Sequence, residues 1–357
     1  MLSKESLKFL EELLKSSGPS GFEYKTAAIF RKYLGSFADR VFSDVMGNTI
    51  GVLNEDADFK IMLAGHYDEI GFQVVFISDE GYLYFRSVGG IDKYTVPGTE
   101  VEVLTEKGAV TGVIGKKPIH IAKEGGKEAA PELKEMWIDI GAENRKDAEK
   151  LVSVGDPVAV KGNFARLGTN KLMSKGMDDK IGAFIVAEVL RELSGKKLNC
   201  AVYAVGTVQE ELGLRGATAS AFGINPDVGF AVDVTFASDV PDVDKKAYCD
   251  IRLGKGPAVC RNADNNIVLL RKIKETAKKK KIKIQEKVGF RASGGTDTAV
   301  IQLTRGGVAT ALISVPNRYM HTPVEICDIR DVEGAVKLIS ETILALKPTD
   351  SFIPDSF

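Results

Sequence analysis

Apolar residues recur with a helical period at both ends of the chain and with a strand period between them. Segments 3–16 and about 23–35 are predicted amphipathic helices, and Ser3 is the expected N-cap of the first. Strand-like runs follow, up to KIMLAG. From about residue 168 onward, apolar strands alternate with helices as far as DVEGAVKLISETILAL. This alternation predicts an α/β sheet with helices on both faces.

The pattern differs between about residues 72 and 165. Short β-like runs such as GFQVVFIS, GYLYFRSV and TEVEVLTE are separated by turn glycines and prolines, without a long helical period. This spacing predicts a small β-barrel or sandwich, in which the polar segment 123–135 forms a mobile loop. We therefore expect one discontinuous domain, residues 1–71 and 166–357, interrupted by a β domain at 72–165.

Composition narrows the class of protein. The 357 residues are 44% hydrophobic and 27% charged, which is typical of a soluble globular chain. A net charge of −1 favours neither nucleic acid nor an anionic membrane as a partner. The first helix lacks the apolar region of a signal peptide, and no stretch has the apolar length of a membrane span. The four cysteines lie far apart, so a reducing cytoplasm is the expected location.

Imidazole and carboxylate groups occur where predicted strands end or helices begin. In open α/β sheets, sites form beyond the carboxyl ends of strands. Two of only three histidines lie at such positions. The candidate residues are His66, Asp68, Asp178, Asp179, Glu210, Glu211, Asp233 and His321.

These groups suit zinc, cobalt or manganese. They are too many for one tetrahedral ion, but two ions can share them if one carboxylate bridges. Water between two such ions loses a proton near neutral pH and becomes a nucleophile. The adjacent glutamates Glu210 and Glu211 can divide the work, since one can face the metal while its neighbour acts as general base.

Several motifs together resemble the tetrahedral (TET) aminopeptidases, cytosolic two-metal enzymes that include glutamyl and deblocking aminopeptidases and relatives labelled cellulases. The motifs are HYDEIG, GMDDKIG, TVQEELGLRGA, AVDVT, SGGTD and SVPNRYMHTPVEI. The resemblance covers essentially the whole chain. It implies a phosphorylase/hydrolase-like three-layer α/β/α domain with a mixed sheet and an inserted, PDZ-like β-barrel.

The resemblance also implies a role for each candidate residue. His66, Asp178 and Asp233 would hold one metal ion, whereas Asp178, Glu211 and His321 would hold the other. Glu210 would be the general base, and Asp68 would orient the imidazole of His66. The Asp178–Asp179 peptide bond would be cis. Zinc or cobalt is the expected metal, with manganese as an alternative.

The expected activity is release of N-terminal residues from short peptides. Another amide hydrolase reaction, by a carboxypeptidase or deacylase, remains an alternative and would need a basic pocket. Four cations are candidates for that pocket or for recognising acidic N-terminal residues: Arg252, Lys255, Arg261 and Arg291. A glycosidase using Glu210 and Glu211 is disfavoured because adjacent residues rarely hold two carboxyls at the required separation.

Assembly is the last expectation from the sequence. The β insert contains more short strands than the chemistry needs, so it is a candidate dimerisation surface. The resemblance implies that dimers assemble further into a hollow tetrahedral dodecamer that admits peptides or unfolded chains, and closed symmetry is usual for homo-oligomers. The third histidine, His120, is expected to be a fold or interface residue of the insert.

Overall fold

A computed structural model of the chain describes residues 2–118, 120, 132–289 and 294–355. Nine α-helices lie within these ranges: α1 (Lys4–Lys15), α2 (Tyr24–Leu34), α3 (Arg145–Leu151), α4 (Met177–Leu193), α5 (Arg215–Ile224), α6 (Lys245–Tyr248), α7 (Ile267–Lys280), α8 (Thr298–Ile301) and α9 (Ile329–Ala345). In this part of the chain, no helix is both long and apolar enough to cross a membrane.

Strands account for most of the remaining regular structure. The first nine are β1 (Arg40–Ser43), β2 (Thr49–Leu53), β3 (Lys60–His66), β4 (Gly71–Ile77), β5 (Leu83–Val88), β6 (Glu100–Thr105), β7 (Gly108–Gly115), β8 (Trp137–Asp139) and β9 (Pro157–Val160). The later ones are β10 (Ala165–Leu167), β11 (Lys171–Ser174), β12 (Ala201–Thr207), β13 (Val228–Phe236), β14 (Ala258–Arg261), β15 (Gln285–Val288), β16 (Ala309–Asn317) and β17 (Glu325–Asp328).

The main sheet has eight strands in the order β1-β2-β12-β3-β13-β16-β14-β15. Its four central strands, β12, β3, β13 and β16, are mutually parallel, so their carboxyl ends meet at one edge. Antiparallel pairs flank this centre, which makes the sheet mixed. A separate sheet of three strands has the order β10-β11-β17.

Both faces of the main sheet are buried under helices. On β3, Ile61 and Leu63 pack into the cluster that contains residues of α1, α2, α4, α7 and α9. The alternating positions Met62 and Ala64 pack with residues of α5 and α8 on the opposite face. Strand side chains alternate between faces, so this one apolar strand contributes to two cores. The three-layer α/β/α architecture is confirmed.

The inserted domain is a closed antiparallel barrel with the strand order β4-β5-β8-β7-β6-β9. It has its own apolar core, in which the rings of Phe72 and Phe85 meet edge to face at 4.8 Å. The predicted barrel is therefore confirmed, while the proposed domain boundaries stay a prediction. The short helix α3 was not predicted, because its seven residues are too few to display a helical period.

Helix α7 begins at Ile267, because the Asn266 side chain accepts hydrogen bonds from two backbone N–H groups and caps it. Most of the predicted loop 123–135 lies outside the described residues, and Leu133–Glu135 at its end forms a 3₁₀ turn.

A close helix–strand contact places the start of α4 beside the end of β3. A Cβ at Gly65 would lie 2.4 Å from the carbonyl carbon of Gly182, so only glycine allows this approach. The helix therefore begins next to His66, and its first turn carries Asp178 and Asp179.

Candidate two-metal active site

The candidate residues converge at the carboxyl edge of the parallel strands. His66 ends β3, Asp233 lies in the last part of β13, and Asp178 comes from the start of α4. Glu210 and Glu211 follow β12. The loop after β16 carries His321. All six line one cleft of about 680 Å³.

Five of these side chains form two groups that share one member. His66, Asp178 and Asp233 make one group, and Asp178, Glu211 and His321 make the other; within each, one ligand atom per residue lies within 4.8 Å of the rest.

Asp178 directs one oxygen to each group. Its Oδ1 lies 3.2 Å from His66 Nε2, and its Oδ2 lies 3.2 Å from His321 Nε2. The Asp178–Asp179 peptide bond is cis, as expected.

The donor set fits divalent transition metals. Each group combines one imidazole nitrogen with carboxylate oxygens, the ligand types that zinc, cobalt and manganese accept. Glu210 approaches His66, with 3.8 Å between Oε2 and Nε2, yet it belongs to neither group. One carboxylate thus lies beside these two groups without belonging to either.

Crowded carboxylates dominate the electrostatics of the cleft. Burial and neighbouring acids raise the pKa of Asp233 to about 8 and hold the pKa of Glu210 well above its usual range. Hydrogen bonds to Asp178 and Glu211 raise the pKa of His321 to about 11. Burial opposes protonation of His66, but the carboxylates around it outweigh burial and raise its pKa. Divalent cations would offset this excess of negative charge.

The family model for M42 glutamyl aminopeptidases matches residues 47–338. The chain belongs to this family of two-metal aminopeptidases. Over 344 residues it is 36% identical to a protein of Pyrococcus furiosus named lysyl aminopeptidase, covering 96% of this chain and 97% of that one. The resemblance to the TET aminopeptidases seen in the sequence motifs is confirmed.

Solved structures of similar proteins support the same family. The TET aminopeptidase of a marine-sediment thaumarchaeon superposes with a TM-score of 0.92 at 35% identity, covering 96% of this chain and 97% of that one. The TET1 peptidase of Pyrococcus horikoshii gives a TM-score of 0.86 at 34% identity, covering 96% of this chain and all of that one. That peptidase is described as assembling into a tetrahedron or a large octahedral shell.

Asp68 of this M42 peptidase connects the ligand strand to the glutamate pair. Its buried carboxylate accepts hydrogen bonds from the backbone N–H groups of Glu210 (3.0 Å) and Glu211 (3.2 Å) and from the Ser20 hydroxyl (2.5 Å). Its Oδ1 also lies 3.3 Å from His66 Nδ1, which has the main-chain oxygen of Asp68 at 3.2 Å as a second acceptor. Asp68 therefore fixes the peptide backbone of both glutamates and faces an imidazole.

The sequence did not single out Glu325, which supports both groups of the M42 site. Its buried carboxylate accepts hydrogen bonds from the backbone N–H groups of Asp178 (3.0 Å) and His321 (2.9 Å). Its only signal in the sequence was its place in the MHTPVEI stretch. Asp297 of SGGTD was missed similarly; it is buried and accepts a hydrogen bond from the Thr207 hydroxyl at 2.8 Å.

A buried ion cluster includes Glu69, the residue that follows Asp68 in the chain. The carboxylate of Glu69 pairs with Lys175 at 2.5 Å and with Lys180 at 2.9 Å. Both ammonium groups also donate to the main-chain oxygen of Ser16 at 2.7 Å. The cluster connects β3, the start of α4 and the end of α1 without using a solvent-exposed group.

Three of the four basic residues suggested by the sequence do not line the cleft. Arg252, Lys255 and Arg261 are exposed and absent from its lining, and Arg252 pairs with Asp250 at 2.8 Å. Arg291 lies outside the described residues. His120 is exposed and also absent from the cleft lining.

Proposed function

We propose that this chain releases N-terminal residues from short peptides by hydrolysis, with two divalent ions and Glu210 as general base. The observation that carries the proposal is the division of the carboxylates. Two ligand groups share Asp178, while Glu210 lies against His66 and belongs to neither group.

Five side chains would hold the two ions, and one of them, Asp178, would serve both. His66, Asp178 and Asp233 would bind one, and Asp178, Glu211 and His321 the other, so that Asp178 bridges. Zinc or cobalt fits best, and manganese accepts the same atoms. When bound, the ions supply Lewis-acid chemistry, polarising the scissile carbonyl and lowering the pKa of water.

Proton transfer would depend on side chains of the protein itself. Glu210 takes a proton from the attacking water while the water oxygen bonds to the carbonyl carbon of the substrate. It then delivers that proton to the leaving amine as the C–N bond breaks. Asp68 accepts hydrogen bonds from the backbone of Glu210 and Glu211, and so fixes the position of the proposed base, Glu210, relative to the proposed ligand, Glu211. Glu325 does the same for Asp178 and His321.

The proposed assembly is a dimer made through the insert at residues 72–165, with dimers built into a tetrahedral dodecamer. Two features support it. The barrel exposes large apolar side chains, including Val75 at 43% and Phe76 at 48% of their full accessibility. The Pyrococcus horikoshii relative is described as forming a tetrahedron or a larger shell. A closed shell would keep an exopeptidase away from folded proteins.

Two matched substitutions test the proposed chemistry. Glu210→Gln should reduce turnover of aminoacyl-anilides by at least about 10²–10⁴-fold while both metal equivalents remain bound. Glu211→Gln should also weaken metal binding, because it removes a ligand charge. Metal analysis by plasma emission beside kinetics separates the two effects, and equal metal loss in both variants would contradict the division of roles.

The competing amide hydrolase activities need their own control. An aminopeptidase requires a free α-amine, so an N-acetylated peptide of the same sequence should not be cleaved. Cleavage of the acetylated peptide at a comparable rate would favour a carboxypeptidase or a deacylase.

A further inference from the structure

We propose that an apolar pocket beside the cleft binds the leaving part of the peptide, so that the enzyme favours substrates with a large apolar residue directly after the N-terminal one. The proposal rests on the aminopeptidase function proposed above and adds a second determinant of its substrate class. The place of the pocket next to the ligand groups, its apolar lining and a buried amide in its wall support this assignment.

The pocket has a volume of about 830 Å³ and adjoins the cleft. Phe236 and Met320 line both spaces, so these two side chains form the boundary between them. Phe236 lies three residues after the proposed ligand Asp233, and Met320 directly precedes the proposed ligand His321. Asp233 and His321 belong to different ligand groups. The boundary of the pocket is therefore connected through the chain to both halves of the metal centre.

The pocket is lined mainly by apolar side chains. Val240 and Val243, for example, come from the loop between β13 and α6, which carries none of the proposed ligands. Of the charged residues that line the pocket, Arg318 pairs with Asp239 at 2.7 Å, and Asp92 is exposed. Apolar pockets of about 300–1,000 Å³ are typical of sites for small ligands. This pocket therefore suits a group such as a phenylalanyl or leucyl side chain.

The cleft has a more polar wall near the ligand groups. Lys287 and Asn262 line it, and Nζ of Lys287 donates a hydrogen bond to the hydroxyl of Thr235 at 2.8 Å. In an aminopeptidase the N-terminal residue places its α-amine and its carbonyl at the metal centre, so its side chain lies within this cleft. The pocket beyond Phe236 and Met320 is then left for the residues on the leaving side of the scissile bond.

A buried amide in the pocket wall favours a peptide as the ligand. Asn317 lines the pocket and is only 1% exposed. Within the described part of the chain, neither the oxygen nor the nitrogen of its side chain has a hydrogen-bond partner. An unpaired buried amide is costly. The leaving part of a peptide brings backbone N–H and C=O groups to this wall, which are the donor and the acceptor that a side-chain amide can pair with.

The test compares peptide amides that share one N-terminal residue, X, and differ only after it. X is the residue whose simple amide, X-NH₂, the metal-loaded enzyme hydrolyses fastest. We expect kcat/KM for X-Phe-Gly-NH₂ to exceed that for X-Ser-Gly-NH₂ by at least about 10-fold, because the phenylalanyl side chain is buried on binding. Val240→Arg and Val243→Arg each place a charge in the pocket. Both should bring the Phe/Ser ratio near one, at unchanged metal content and unchanged kcat/KM for X-NH₂.

The matched control is Val45→Arg. It makes the same substitution at a fully exposed valine that is absent from the pocket lining. This variant should keep the wild-type Phe/Ser ratio. Metal content and oligomeric state, the latter by light scattering, are measured for every variant, so that a loss of folding or of assembly is separated from a change in peptide preference.

Four results would overturn the inference. One is a wild-type Phe/Ser ratio near one, and another is a high ratio that survives both pocket variants. If the pocket variants instead slow only peptides with an N-terminal Phe, the pocket holds the N-terminal side chain. If they change the oligomeric state, a second copy of the chain covers the pocket. Failure of the wild type on every peptide with a free N-terminus would refute the proposed function itself.

Discussion

Replacing Asp68 by asparagine tests whether this one carboxylate fixes the positions of the proposed base, Glu210, and the proposed metal ligand, Glu211. The substitution keeps the shape of the side chain but replaces one oxygen by an NH₂ group. Oδ1 accepts from Glu210 N–H and Oδ2 from Glu211 N–H. Whichever way the new amide turns, one of these backbone donors faces another donor.

The magnitude follows from the contacts. A hydrogen bond to a charged group contributes about 1.5–3 kcal/mol, so losing one corresponds to about 10- to 150-fold in an equilibrium constant. The effect on His66 should be smaller, because its Nδ1 keeps the main-chain oxygen of Asp68 at 3.2 Å. We therefore expect Asp68→Asn to weaken metal binding within that range and to reduce kcat/KM by at least as much.

Calorimetric titration of the stripped protein with zinc or cobalt measures the first effect, and anilide kinetics at saturating metal measures the second. Ser20→Ala is the matched control, since it removes one hydrogen bond from the same carboxylate without touching the glutamate backbone. Ser20→Ala should lower the free energy of unfolding by about 1.5–3 kcal/mol, as for any hydrogen bond to a charged group. It should change metal affinity less than Asp68→Asn does, because both glutamate N–H groups keep their acceptors. Metal affinity within threefold of the wild type in Asp68→Asn, or equal losses in both variants, would refute the reasoning.

Three further predictions concern metal binding, pH and assembly. Asp178→Asn should lose both ions together because its oxygens serve both groups; two equivalents at full occupancy would instead favour Asp179 as the bridge. Burial raises the pKa of Glu23 to about 7, so the folded protein holds an extra proton between about pH 4.5 and 7 and its free energy of unfolding falls as pH rises through that window. In urea unfolding of stripped protein, Glu23→Gln should remove the part of this fall that Glu23 contributes. The free energy of unfolding of the variant relative to the wild type should therefore be about 1–3 kcal/mol higher at pH 8 than at pH 4. Light scattering coupled to size exclusion should show a dimer or dodecamer of the metal-loaded enzyme, and a monodisperse monomer would contradict both.

The convergence of the site was predictable because the parallel strands have apolar sequences with polar ends. KIMLAG and VGFAV are buried on both faces, so their boundaries are visible without a structure. Parallel neighbours end at one edge, which brings His66 and Asp233 together once both strands are recognised. The barrel was predictable for a similar reason, since turn glycines and prolines separate its short β-like runs.

Residues that act through the backbone were harder to predict. Glu325 contributes by accepting hydrogen bonds from two backbone N–H groups, one at the start of α4 and one in the loop after β16. Nothing in its local sequence indicates those partners. Lys287 lies on an edge strand of four residues. The hydrophobic pattern of so short a strand does not distinguish a lysine that faces the cleft from one that faces solvent. The sequence instead suggested four cations, Arg252, Lys255, Arg261 and Arg291. The structure pairs Arg252 with Asp250 at the surface.

Consecutive acids at the cleft edge divide their tasks because neighbouring side chains diverge. The chain repeats this arrangement three times, at Asp68–Glu69, Asp178–Asp179 and Glu210–Glu211. In the second pair, Asp178 faces both imidazoles while Asp179 accepts hydrogen bonds from the N–H groups of His66 (3.3 Å) and Gly182 (3.1 Å). In the first, one acid fixes the glutamate backbone and the other forms salt bridges with two buried lysines. In each pair, the two acids therefore contact different groups. Exchanging the two members of a pair should reduce activity, even though the composition and the net charge of the chain stay the same.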